Sequence, residues 1–292
     1  MKTTLCGILC LGLSLSVSEV YTAEPVTLHI EAPEPLAPLV ARLNRADPAM
    51  FGSAMRLTGL VDPGATIRVM LAEGGSPLAR QVPPWVSGYA LGPQGMIVLI
   101  PSRVMSYPHT SLEALLTHEV AHILVARAAN QQPVPRWFDE GLAMAAAHRW
   151  GLEDRGRFIW AMASRTQVSF DELNGLFRQD EASVQRAYVL AGAVVRDLIH
   201  TAGQDAPGAI LDLMSKGVSF SDAFTRVTAM SIGDAERVFW RQQTMWSRWV
   251  PVLTSTAMLW LGITLLAVYA YRRRRKRALA IQQQWDEEDS PP

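Results

Sequence analysis

The rhythm of hydrophobic positions changes near residue 108. Before it, short alternating stretches predict strands at 26–30 (Val-Thr-Leu-His-Ile), 66–71 and 95–100. Turn-forming residues separate them: Ala32-Pro33-Glu34-Pro35, Gly74-Gly75 and Pro83-Pro84. One short helix fits 38–46. After 108, Leu112, Leu115, Leu116, Val120, Ile123 and Leu124 recur at helical spacing. Ser111 is placed to cap that helix, with Glu113 in its first turn. A second helix begins at Trp137, and others fit 187–201, 210–214 and 232–246. Sheet first and helices after is an α+β order.

Two longer apolar runs lie outside this pattern. Near the start, Lys2 precedes a short apolar stretch at 5–17 and small residues up to Ala23, which predicts a signal peptide over 1–23. Near the end, residues 250–271 carry no charge over 22 positions, roughly 33 Å as a helix. Trp246 and Trp249 flank one side, Tyr269 and Tyr271 the other, and six basic residues (272–277) follow. That pattern predicts a transmembrane helix over 250–271 with a cytoplasmic tail over 272–292. Residues 24–249 then form one extracytoplasmic domain. Cys6 and Cys10, the only cysteines, fall in the predicted signal, so that domain is expected to fold without disulfides.

Composition narrows the partners. With 49% hydrophobic and 18% charged residues the chain is globular, and its formal net charge of zero argues against nucleic acid, which requires clustered Lys and Arg. A lipid bilayer is the partner expected of 250–271.

The chemistry lies in His118-Glu119-Val120-Ala121-His122. Histidines at i and i+4 share one helical face and reach one ion. Glu119 neighbours the pair without competing for the metal, as a general base does. Hydrolysis at a catalytic metal uses three protein ligands and an open fourth position. The third ligand must come from elsewhere. Glu140 opens the next helical segment and fits a helix–turn–helix; Gly141 allows close backbone approach; Asp139 and His148 are alternatives.

His118-Glu-x-x-His122 followed by Trp137-Phe-Asp-Glu140-Gly-Leu-Ala143 resembles the gluzincin zinc peptidases, and most closely their peptidase MA-like domains, which are frequent in bacterial envelope proteins. The resemblance implies a zincin-like fold, one Zn2+ held by His118, His122 and Glu140, and Glu119 as base. It spans about 111–241. Seventeen residues separate His122 from Glu140, one fewer than is usual in the aminopeptidase branch. Relatives of that branch place an oxyanion-stabilising Tyr on a later helix, which points to Tyr188, and an edge strand beside the substrate, which points to 95–100. No segment of the G-x-M-E-N type that anchors a free amino terminus is present. The expectation is a zinc metallopeptidase of the bacterial inner membrane, its catalytic domain periplasmic, acting on peptides or envelope proteins. The competing expectation is a catalytically silent, zinc-stabilised assembly factor. His29, His109 and His200 are expected to be structural or surface residues.

Overall fold

A computed structural model of the chain describes residues 24–104, 108–147, 151–163, 167–253 and 256–288. The predicted signal segment 1–23 and His148 lie outside the described residues. The architecture is α+β, a small sheet followed by helices, which fits a zincin-like fold.

Four strands form the sheet: β1 (Leu28–Glu31), β2 (Ile67–Leu71), β3 (Gly88–Leu91) and β4 (Met96–Leu99). Their order is β1-β2-β4-β3. The first three in that order run parallel, and β3 turns back antiparallel on β4. A parallel neighbour requires a crossover, supplied between β1 and β2 by α1 (Ala37–Leu43) and α2 (Gly52–Thr58). The β3–β4 turn closes at Gly95, whose φ of 58° is left-handed. The predicted substrate strand at 95–100 is corrected here. β4 is an inner strand, with Ile97, Val98 and Leu99 all buried and both neighbours present. β3 is the edge on that side.

One face of the sheet packs Ile67, Val69, Ile97 and Leu99 against α3 (Leu112–Ala128). The other is covered by the excursion between β2 and β3, which seats Ala72 and Ala79 on Val98 and Ile100. Arg103 fastens that excursion by donating to the carbonyls of Ala79 (2.9 Å), Pro83 (3.2 Å) and Val86 (3.3 Å).

The remaining helices are α4 (Arg136–Ala147), α5 (Leu152–Ala163), α6 (Phe170–Leu176), α7 (Glu181–Ala202), α8 (Ala206–Ser215), α9 (Phe220–Thr228), α10 (Ile232–Leu253) and α11 (Thr256–Glu288). Ser111 caps α3 as expected, accepting from the Ala114 amide at 3.1 Å. α3 is buried on nearly all sides because the sheet and α2 lie against part of it and α4 against the rest. It ends where Asn130 and Gln131 adopt left-handed φ of 50° and 60°. The chain then reverses through Pro133 and Pro135 into α4. The first turn of α4 is held by Asn174 of α6, whose Oδ1 accepts from the Trp137 amide at 2.9 Å.

α4 in turn packs on α7, and Gly141 is the point of closest approach. A Cβ there would strike Val195 Cγ2 and sit 2.6 Å from the Ala191 carbonyl oxygen.

Residues 254 and 255 of the apolar run at 250–271 lie outside the described residues. α10 ends at Leu253 and α11 begins at Thr256. Among the described residues no helix is long and apolar enough to cross a membrane. The apolar part of α11 nonetheless packs on little else: Trp260, Leu261, Leu265, Leu266, Tyr269 and Tyr271 are exposed.

Gly141→Ala tests the α4–α7 contact. Its new methyl group meets backbone as well as side chain, so the variant should lose about 1–3 kcal/mol or more in urea unfolding. An unchanged midpoint would mean that the helices have room to separate.

Candidate active site

α3 presents His118 and His122 one turn apart, and α4 presents Glu140 toward them. His118 and Glu140 are 1% and 5% exposed, so the three groups must satisfy one another. The two Nε2 atoms are 3.1 Å apart, and Glu140 Oε2 lies 3.4 Å from each. A tetrahedral ion with bonds of about 2.0–2.1 Å separates its ligand atoms by about 3.3–3.4 Å. The three edges of this triangle therefore fit one small metal ion. Glu140 Oε2 is also buried without a well-formed hydrogen bond, although it faces two imidazoles. His118, His122 and Glu140 are thus a group able to hold one metal ion.

Around the triangle stand residues that hold it. Asp139 was an alternative ligand on sequence. The structure places it behind His122 instead, its Oδ1 2.9 Å from Nδ1, at ion-pair distance but out of hydrogen-bond alignment. Arg136 takes the other carboxylate oxygen of Glu140, Nε to Oε1 at 3.4 Å, with its guanidinium 5.2 Å from the Phe177 ring centre. Tyr188 on α7 lies edge-on to His118, ring centres 6.0 Å apart, and rests against Phe177. The structure thus brings His118, His122, Asp139, Glu140 and Tyr188 together, with Arg136 beside them.

His109 is the structural one of the remaining described histidines. It is buried, with its ring 4.6 Å from that of His118 at 62°. Nothing in its spacing announces this, since it precedes the helix and belongs to no motif. His29 and His200 lie exposed elsewhere, His29 paired with Glu31 at 3.0 Å.

Burial sets the electrostatics. It pushes the Glu119 carboxyl up to about 8, with Glu140 and Asp139 adding to the rise against the attraction of His122. Burial also lowers His118. At His122 burial acts downward, but Asp139 and Glu140 outweigh it and hold the imidazole well above its ordinary value. At Glu140 burial acts upward, and His122 and His118 outweigh it, so the carboxylate stays ionised, as a metal ligand must. Burial, then the Glu140 and Glu119 carboxylates, push Tyr188 well above 10, so its phenol keeps its proton and remains a donor.

The family model described as the peptidase MA superfamily matches residues 82–245. The chain belongs to the peptidase MA superfamily. The match begins before β3 and takes in β3, β4 and the helices from α3 onward, so the sheet edge is part of the shared unit. The metallopeptidase-type fold and its His-His-Glu group are accordingly the chain's own features. No curated protein matches the chain.

Two measurements follow. Removal of a partner behind a ligating imidazole weakens metal binding about 10–100-fold, so Asp139→Ala should do so in competition with a chromophoric chelator, while Glu140→Ala should lose the metal more severely. Equal affinity in Asp139→Ala would mean that His122 is oriented by other contacts. Glu119 binds its proton more tightly folded than unfolded, so its contribution to stability is most favourable below pH 4.5 and declines as pH rises to about 8. In metal-free protein, Glu119→Gln should gain stability over the wild type as pH rises from about 5 to 8, by up to a few kcal/mol. A margin independent of pH would remove burial as the cause.

Proposed function

We propose that the protein is a membrane-anchored zinc metallopeptidase of the gluzincin type. The observation that carries the reading is the triangle of His118 Nε2, His122 Nε2 and Glu140 Oε2, with the non-ligand carboxyl of Glu119 on the same helix. Two imidazoles and one carboxylate suit zinc, and a three-ligand set leaves a position for substrate or water. A zinc ion held there supplies Lewis acidity, polarising a carbonyl and acidifying water.

The chain's own groups then divide the work. Glu119, with its proton affinity raised toward neutrality, takes a proton from the attacking water and returns it to the leaving amine. Tyr188 donates its phenolic proton in a hydrogen bond toward the oxyanion. Asp139 orients His122, and Arg136 occupies the outer oxygen of Glu140, leaving Oε2 for the ion. The free edge of β3 is where an extended peptide adds as a strand, in place of the 95–100 segment first expected. A purely structural metal site has no use for Glu119, which favours the enzyme over a silent assembly factor.

The same reading sets the domain outside the cytoplasm, on the periplasmic face of a bacterial inner membrane, with peptides or envelope proteins as substrates. Its support is the uncharged run at 250–271, the exposed apolar side chains of α11 and the exposed arginines 272–275 that follow. A reporter fused after Arg277 should report cytoplasm.

Glu119→Gln tests the mechanism. Full-length wild type and variant should each bind about one zinc, while cleavage of a proteome-derived peptide library, read by mass spectrometry, should fall about 100- to 10,000-fold in the variant. Undiminished cleavage would remove Glu119 as the base. A wild type that binds zinc but cleaves nothing would favour the silent assembly factor.

A further inference from the structure

The edge strand and the catalytic helix meet at Gly88. A Cβ built on this glycine lies 3.0 Å from Glu119 Oε1, 3.1 Å from Leu99 Cδ2 and 3.2 Å from Leu115 Cδ1. All three contacts are tighter than ordinary van der Waals distance, so a methyl group there requires its neighbours to give by a few tenths of an ångström. Gly88 is not demanded by backbone conformation, because it is absent from the left-handed glycines of the chain. Its role is spatial.

The three neighbours differ in their freedom to retreat. Leu99 and Leu115 are 0% and 1% exposed and locked in the sheet–helix core. Glu119 is the one polar member and ends a longer, unbranched chain with more rotamers. A side chain at 88 would therefore drive the carboxylate from its seat before it shifted either leucine.

We infer that Gly88 is a positioning residue for the base: the missing side chain on β3 is the socket that seats the Glu119 carboxylate. The inference rests on the proposed role of Glu119. It differs from the substrate-binding role of the strand's free edge, because the contact is made by the inner face of β3, toward α3, and not by the open backbone edge. It also accounts for the run of small residues there, since Gly88 and Ala90 share that inner face by the two-residue period of a strand.

The test compares full-length, zinc-loaded wild type, Gly88→Ala, and Gly75→Ala as control, since a Cβ at Gly75 meets nothing within 4 Å. Crystal structures should show the Glu119 carboxylate displaced in Gly88→Ala by several tenths of an ångström or more, with His118, His122 and Glu140 unmoved. On a casein-derived peptide that the wild type cleaves, kcat should fall roughly 10- to 100-fold with KM little changed, as misplacement of a reacting group does. Gly75→Ala should match the wild type. The loss should also vanish in the Glu119→Gln background, where there is no base to misplace. If Gly88→Ala does not fold, Gly88→Ala/Leu115→Val removes the Leu115 contact and keeps the clash with Glu119, so the same displacement is expected. An unmoved Glu119 in the variant that folds, or an equal loss in the Glu119→Gln background, would overturn the inference. If the wild type cleaves no peptide, the proposed function fails, and the position of Glu119 still decides the socket.

Discussion

The site depends on how closely α3 and α4 can lie. Glu140 must carry a charged oxygen to 3.4 Å from two imidazoles in a place that water scarcely reaches. Such a group is tolerated only with partners at hand. The distance is enforced from behind, where Gly141 lets α7 press on α4, and from the end, where the left-handed pair Asn130-Gln131 turns the chain within a few residues. The hydrophobic packing is thus arranged to force a carboxylate against two histidines, a geometry that apolar burial alone would oppose.

A consequence is that the charges form an ordered shell. Oε2 of Glu140 faces the ion's place while Oε1 is held by Arg136, and His122 is backed by Asp139. The Glu140 carboxylate and the His122 imidazole favour each other's charged form, while burial favours the neutral form of His118. Glu119 is coupled to the same balance: burial first, and then the Glu140 and Asp139 carboxylates against His122, hold its proton tightly.

Much of this was legible in the sequence because the signal is local. Ser111, the apolar spacing after it and the paired histidines all belong to one helix, and the structure keeps them there. Glu140 was reachable because only a short connection separates it from that helix. The edge strand was not. Gly88-Tyr-Ala-Leu is four residues long, half-buried throughout and preceded by prolines, so neither alternation nor an apolar run marks it. The strand first chosen for the edge carries three consecutive buried residues, Ile97 to Leu99, the mark of an inner strand covered on both faces. His109 has no periodic signal at all, and its place beside His118 is a product of tertiary packing.

The spacing of the ligands also bears on how metal couples to folding. His118 and His122 are four residues apart and need only one turn of helix to grip an ion, so an unfolded chain retains part of that grip. A ligand that also binds the unfolded state stabilises the native one less. Glu140 joins them only when α4 is packed between α3 and α7. For an ion held there, the increment of affinity that distinguishes the folded chain from the unfolded one would rest mainly on that single carboxylate. Metal starvation would accordingly be felt first as a loosening of α4 against α3, with the sheet and the histidine helix left standing.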